Sequence, residues 1–158
     1  MTDRCRQHAV AAILAAFAVN LSCPARAIAA LGGDATSVIA DAQHLRGALR
    51  STELQEYDIH EIVTDNGLRV REFLNLDGIV FAVTWDGPVL PDLQTLLGAN
   101  FATYMQALAV LKQPGLQRSL RIASPGLVVE SGGHLRAYAG RAYLPALIPV
   151  VLPAADLR

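Results

Sequence analysis

The chain has 158 residues, a length typical of one domain, and 53 % of them are hydrophobic. It carries 13 Lys and Arg against 14 Asp and Glu, with no run of four basic residues. Because nucleic-acid binding needs a patch that neutralises phosphates, we expect no nucleic-acid partner.

The first 29 residues have the pattern of an export signal. Arg4 and Arg6 give a basic start, residues 9–19 form an apolar run, and Ala27-Ile28-Ala29 supplies the small residues of a cleavage site. The run is about half the roughly 20 residues that span a bilayer, so we expect no integral membrane span after cleavage. These features predict a signal peptide at 1–29 and a single domain at 30–158.

Cleavage would remove both cysteines, Cys5 and Cys23. The remaining chain could then hold neither a disulfide, nor a thiolate nucleophile, nor a Cys-ligated metal. Its histidines, His44, His60 and His134, lack a metal-binding spacing. We therefore expect no metal and no cofactor. The export signal and the absence of cysteine after cleavage favour a bacterial periplasmic or secreted location.

An Ala-rich segment comes first in the predicted domain. Asp34 can cap a helix whose apolar positions recur at helical spacing. Gly47 and the polar residues 50–56 are expected to end it.

Residues 57–85 predict three strands. Asp65-Asn66-Gly67 and Asp77-Gly78 are turn signals, because Asn and Gly tolerate positive φ. A two-residue first loop would set Glu61 opposite Glu72, which is repulsive. A three-residue loop with a Gly67 bulge instead predicts the pairs Glu61–Arg71 and His60–Glu72, and we favour it.

The second turn fixes the next register. It predicts the pairs Leu74–Phe81, Glu72–Val83 and Val70–Trp85. The apolar residues of the third strand should then share one face, which the helices cover. These residues are Ile79, Phe81, Val83 and Trp85.

Helices and three further strands follow. Pro91 and Asp92 suit a helix start and Gly98 its end, and an apolar stripe runs through residues 101–111. Ser124-Pro125-Gly126-Leu127 predicts a turn that sets Arg121 opposite Glu130. Gly132-Gly133 predicts the last hairpin.

The tail, residues 145–158, contains Pro145, Pro149 and Pro153. It cannot be a regular helix, and as a strand it could only lie at an edge. It could pack along the sheet edge or dock a partner.

The order of these elements predicts an α+β fold. We expect an antiparallel sheet built from two three-stranded meanders, with the N-terminal helix and the central helical segment on one face. A single six-stranded sheet is the first choice, and two three-stranded sheets are the alternative.

Three stretches carry a resemblance to a known family. They are YDIHEIVTDNGLRVREFLNLDGIVFAVTWDGPVLPDLQTLLG, ALGG at residues 30–33, and GRAYLPALIP at residues 140–149. Together they resemble a group of exported proteobacterial proteins classed as a domain of unknown function. The resemblance implies export, an envelope or secreted location and one domain, and it implies no catalytic residue or cofactor.

Three sets of side chains are candidates for a site. His60 and Glu72 could form a general acid–base pair, or only a polar pair within the sheet. Arg69 and Arg71 could bind a carboxylate or phosphate, or only line a solvated face. Phe81 and Trp85 could line a ligand groove, or only fill the core.

The sequence favours a non-enzymatic exported protein: a binding, assembly or structural accessory of the envelope, with an envelope protein or a small ligand as partner. A small periplasmic enzyme using His60 and Glu72 is the first alternative. A small-ligand carrier is the second, and it would need a pocket of at least about 300 Å³ lined by Phe81 and Trp85.

Overall fold

The computed structural model describes residues 31–111 and 119–158, which form one seven-stranded antiparallel sheet with helices. The strands are β1 Gly47–Glu53, β2 Tyr57–Thr64, β3 Arg69–Asn75, β4 Val80–Gly87, β5 Ser119–Ser124, β6 Leu127–His134 and β7 Ala137–Tyr143. The helices are α1 Ala35–Leu45, α2 Leu93–Leu97 and α3 Phe101–Val110, with 3-10 turns at Gly98–Asn100, Pro145–Leu147 and Ala154–Asp156. The predicted α+β class is confirmed.

The strand order is β1-β2-β3-β4-β7-β6-β5, so two meanders meet where β4 pairs with β7. This is the one-sheet arrangement, with one strand more than the sequence predicts. The additional strand, β1, occupies residues that were expected only to end the first helix. All its residues after Gly47 are exposed and the last four are polar, as suits an edge strand, so the strand shows no apolar alternation.

Helix α1 begins where the sequence predicts. The Asp34 carboxylate accepts hydrogen bonds from the backbone N–H groups of Thr36 and Ser37. The helix ends at Arg46, which adopts a left-handed conformation with φ of 52°. One carboxylate, Asp41, lies on the buried face of this helix.

The β2–β3 hairpin has the predicted register. His60 pairs with Glu72 and Glu61 pairs with Arg71, while Gly67 takes a φ of 82° in the turn. The favourable cross-strand charge pair thus agrees with the chosen loop length.

The β3–β4 register is confirmed at two of its three predicted pairs. Glu72 lies opposite Val83 and Val70 opposite Trp85, but Leu74 lies opposite Val80 instead of Phe81. A β-bulge at this point inserts one extra residue, which reverses the side-chain alternation. The prediction that Phe81 shares a face with Val83 and Trp85 is therefore wrong: Phe81 packs in the other core cluster.

The β5–β6 pairing of Arg121 with Glu130 is confirmed. The predicted turn at Gly132-Gly133 is wrong, because both glycines lie within β6 and the chain turns at Leu135 and Arg136. A Cβ at Gly133 would overlap the backbone of Ala137. This glycine therefore allows a close approach between two strands. In the sequence alone, a glycine that serves this purpose looks the same as a glycine in a turn.

Both faces of the sheet are covered, where the sequence predicts cover on one. The three α-helices pack over a cluster that contains Val70, Val83 and Trp85. On the other face, the tail lies against a second cluster that includes Phe81 and buries Leu157. The sequence leaves two alternatives for the tail, packing along the sheet edge or docking a partner. In the structure its 3-10 turns accommodate the prolines, and it lies against this face of the sheet instead of along the edge.

Candidate functional site

The acid–base candidates lie on the helix-covered face. His60 is half-buried, and its Nδ1 lies 2.7 Å from the Oγ of Ser51 on the neighbouring strand. Although His60 and Glu72 are cross-strand partners, no hydrogen bond or ion pair joins their side chains among the described residues. The nearest polar partner of the histidine is thus a hydroxyl group.

Glu72 instead meets a second carboxyl group, Asp41 of α1. Each of these residues is 1 % exposed. Asp41 Oδ1, Asp41 Oδ2 and Glu72 Oε2 receive no N–H or hydroxyl donor from the described residues. Two buried carboxylates without donors would repel each other, so a shared proton is the favourable arrangement.

Burial explains why the pair keeps this proton near neutral pH. Loss of hydration, together with the charge of Glu72, raises the pKa of Asp41 to about 9. Burial also raises the pKa of Glu72 to about 7, against the lowering effect of the hydrogen bond from Asp41. At neutral pH we assign the proton to Asp41, whose O–H donates to Glu72.

The opposite face carries a row of charged side chains across all seven strands, which we call the charge row. Consecutive members are cross-strand partners. In strand order the members are Arg50, Glu61, Arg71, Thr84, Arg141, Glu130 and Arg121. The signs alternate except at Thr84, where the neutral hydroxyl stands between two arginines.

Both of these arginines are held by carboxylates farther out in the row. Arg71 Nε lies 3.0 Å from Glu61 Oε1. Arg141 Nε and Nη2 lie 2.7 Å and 2.6 Å from Glu130 Oε2. Arg141 also donates from Nη1 to the carbonyl oxygen of Ala154 at 2.8 Å, which ties the tail to the sheet.

A groove of about 520 Å³ opens over the centre of the row. Four guanidinium groups line it, against two carboxylates. The guanidinium groups belong to Arg71, Arg121, Arg141 and Arg158, and the carboxylates to Asp86 and Glu130. The groove thus has an excess of positive charge in a chain whose formal net charge is −1.

Apolar residues complete the groove. Leu120, Ala139 and Leu157 line it together with Trp85, whose side chain belongs to the core under the helices. The volume lies within the range of about 300–1,000 Å³ typical of small-molecule sites.

Thr84 contributes an unsatisfied group to this groove. The residue lines the groove, is only 3 % exposed, and its Oγ1 has no hydrogen-bond partner among the described residues. Leaving a buried hydroxyl unpaired costs roughly 1–3 kcal/mol. No contact among the described residues thus explains why a threonine stands here. A ligand in the groove that accepts a hydrogen bond from this hydroxyl would explain it.

Residues 27–157 match the model of a protein family described as a protein of unknown function, DUF2844. The chain belongs to the DUF2844 family. The resemblance to a domain of unknown function is therefore confirmed. No curated protein and no solved structure matches the chain.

The binding candidates of this DUF2844 chain fall into three positions. Arg71 and Trp85 line the groove. Arg69 lies beside it and contacts Glu61 and Asp86 at 3.3 Å and 3.6 Å. Phe81 lies on the same face, but beneath the tail.

Three central residues of the site lack a sequence prediction. Arg141 is missed because the misplaced turn at Gly132-Gly133 hides its pairing with Glu130. Thr84 shows its role only once both flanking registers are known. Asp41 does leave a signal, since a carboxylate stands there on the apolar stripe of a predicted helix.

Two further observations concern membranes and metals. Within residues 31–111 and 119–158, no helix combines the length and apolar character that crossing a bilayer requires. The same part of the DUF2844 chain contains no group of three or more metal-ligating side chains.

Proposed function

We propose that the chain is a non-enzymatic binding protein exported to the bacterial envelope, and that it binds in the groove over the charge row. The observation that carries this proposal is the groove itself, with its excess of guanidinium groups and the unpaired hydroxyl of Thr84. A cavity with a few convergent polar groups is the usual form of a binding site.

The arrangement of the titratable groups supports binding over acid–base catalysis. Asp41 and Glu72 are sealed between α1 and the sheet, and neither of them nor His60 lines the groove. A general acid or base must come within hydrogen-bond reach of its substrate, about 2.6–3.2 Å or one water away. The charged groups that do line the groove are arginines, whose proton is not available at neutral pH, and two carboxylates already paired with them.

Support for export comes from the N-terminal pattern. The basic start, the apolar run and the small residues before Ala30 have the order of a secretory signal. The family domain begins at residue 27, so the first 26 residues precede it.

The volume of the groove favours a small ligand as the occupant. At about 520 Å³ it exceeds the roughly 300 Å³ that a carrier would need, and Trp85 lines it although Phe81 does not. The carrier function is therefore our second candidate. A carrier would hold a small molecule in the groove, whereas an accessory protein would hold part of another protein there.

The test is capture from envelope extract with a matched pair of variants. Ala139 lines the groove and Ala137 does not, although both are exposed and lie two residues apart on β7. Ala139→Phe should fill the groove, while Ala137→Phe adds the same ring outside it. Bound proteins and small molecules are identified by mass spectrometry.

The expected result is a protein or small molecule that the wild type and Ala137→Phe retain and Ala139→Phe loses. A retained small molecule would favour the carrier, and a retained protein the accessory role. Equal retention by both variants, or retention of nothing, would contradict binding in the groove.

A further inference from the structure

The charge row gives the class of the ligand. From β1 to β5 its signs run positive, negative, positive, then neutral at Thr84, then positive, negative, positive. A carboxylate at the central position would complete the alternation, because it would face an arginine on each side. The described residues place no carboxylate at that position, and the other carboxylate of this strand in the groove, Asp86, pairs with Arg69 and Arg71.

The two flanking arginines lie within reach of such a group, since both are cross-strand partners of Thr84 and line the groove. Neighbouring strands lie about 4.8 Å apart, so the backbones that carry Arg71 and Arg141 are separated by roughly 10 Å across β4. Two extended arginine side chains can close that distance around one small acceptor. Glu61 holds Arg71 at Nε and Glu130 holds Arg141 at Nε and Nη2, while Nη1 of Arg71 lies 3.5 Å from Asp86 and Nη1 of Arg141 donates to Ala154. Because a guanidinium group carries more N–H donors than these contacts use, both arginines keep donors for a group placed over Thr84.

The Thr84 hydroxyl supplies the third donor. Its Oγ1 is buried and unpaired, although the residue lines the groove. A carboxylate between the arginines would accept the hydroxyl proton while its other oxygen takes guanidinium N–H groups. One planar group with two oxygens thus satisfies every donor at the centre of the row.

The rest of the groove is suited to an apolar body. Ala139 and Leu157 lie beside the charged centre, and the volume of about 520 Å³ far exceeds that of a carboxylate alone. Inorganic anions would leave these walls uncovered.

We propose that the groove binds an organic acid, with its carboxylate over Thr84 between Arg71 and Arg141 and its apolar body against Ala139 and Leu157. This inference rests on the proposed binding function and names the chemistry of the ligand. The molecules captured from envelope extract will show whether this acid is free or part of a larger molecule.

The test uses four probes with the purified full chain in isothermal titration calorimetry at neutral pH and low salt. Octanoate has the proposed chemistry, octan-1-ol has the apolar body without the charge, octylammonium reverses the charge, and inorganic phosphate is an anion without the body. We expect saturable binding of octanoate alone. Tighter binding of phosphate or of octan-1-ol, or no octanoate binding at concentrations up to about 10 mM, would overturn the proposal.

Variants locate the site. Arg71 and Arg69 contact the same two carboxylates, Glu61 and Asp86, but only Arg71 lines the groove. Arg71→Gln should weaken octanoate binding at least about tenfold, and Arg69→Gln by less than about threefold, because a charge-assisted hydrogen bond is lost only in the first. If the two variants weakened octanoate binding equally, the positive charge of the whole face would account for binding, and the position assigned to the carboxylate beside Arg71 would be wrong.

Thr84→Val separates a binding role from a folding role. It should weaken octanoate binding while leaving the folded state at least as stable, since the buried hydroxyl has no hydrogen-bond partner among the described residues. If no probe binds but a captured molecule still depends on Ala139, the organic-acid class fails and the binding function stands. If neither is observed, both fail.

Discussion

Asp41 of the first helix and Glu72 of the third strand face each other as two carboxyl groups, each 1 % exposed, and neither forms an ion pair with a basic side chain of residues 31–111 or 119–158. Burial raises the pKa of both groups, to about 9 and about 7. The folded protein therefore keeps protons that the unfolded chain releases near the ordinary values of 3.8 and 4.5. This difference links folding to pH.

The sign of that linkage is opposite to the usual one for acidic groups. A raised pKa in the folded state gives stability that is fully present below the unfolded values and is lost as pH rises toward the folded ones. We predict that the free energy of unfolding falls between about pH 4 and about pH 9, by up to roughly 1.4 kcal/mol per pH unit for each proton involved. Urea unfolding at several pH values measures this slope.

Asp41→Asn should reduce the slope, because the amide cannot ionise yet still donates to Glu72. At alkaline pH the variant should be more stable than the wild type. Asp65→Asn is the control, since Asp65 is exposed in the β2–β3 turn. An unchanged slope in Asp41→Asn would show that the pair does not carry the pH dependence.

Two threonines should respond in opposite directions to the same change. Thr84 Oγ1 is buried without a partner, whereas Thr64 Oγ1 donates to the carbonyl oxygen of Leu68 at 3.0 Å and accepts from its N–H at 3.1 Å. Thr84→Val should leave stability unchanged or raise it by about 1 kcal/mol, and Thr64→Val should lower it by about 1–3 kcal/mol. Thermal unfolding of both variants tests this, and a large loss in Thr84→Val would reveal an unrecognised partner for its hydroxyl.

Gly140 is the point at which β7 passes the only tryptophan of the chain. A Cβ there would overlap the Trp85 ring and lie 2.7 Å from the carbonyl oxygen of Glu130. Gly140→Ala should therefore cost about 1–3 kcal/mol or more, while Ala139→Val on the neighbouring exposed position should stay within about 0.5 kcal/mol. Equal urea midpoints for the two variants would refute the close approach.

The tail should stabilise the sheet through one residue in particular. Leu157 is 3 % exposed in the second core cluster, whereas Val150 is fully exposed. Leu157→Ala should destabilise the protein by about 2–5 kcal/mol, and Val150→Ala should have no measurable effect. Similar losses in both variants would mean that the tail acts as a whole and not through this contact.

Local signals predicted the hairpins well. The charges of Glu61, Glu72 and Arg71 chose the correct loop length, because facing like charges are unfavourable whatever the rest of the fold does. The cap at Asp34 was equally local. Such features depend on neighbours a few residues apart, and a single sequence contains them.

Features that depend on distant partners were lost. The bulge that turns Phe81 to the other face, the edge strand β1 and the return of the tail each depend on what the rest of the chain packs against. The candidate site was the least predictable feature, because its centre forms only when the registers of β3–β4 and β4–β7 are both known. Of the three residues at that centre, Arg71 alone was a candidate, and its counterpart Arg141 became visible only when the two meanders were joined.

That junction gives the molecule a built-in optical reporter. Trp85 lies opposite Gly140 where one meander meets the other, and every other strand pair joins neighbours in the chain. Local pairings close small loops and form early, whereas the joining of residues more than fifty positions apart comes late. The fluorescence of the lone tryptophan should therefore record the final step of folding, after circular dichroism already shows the strands.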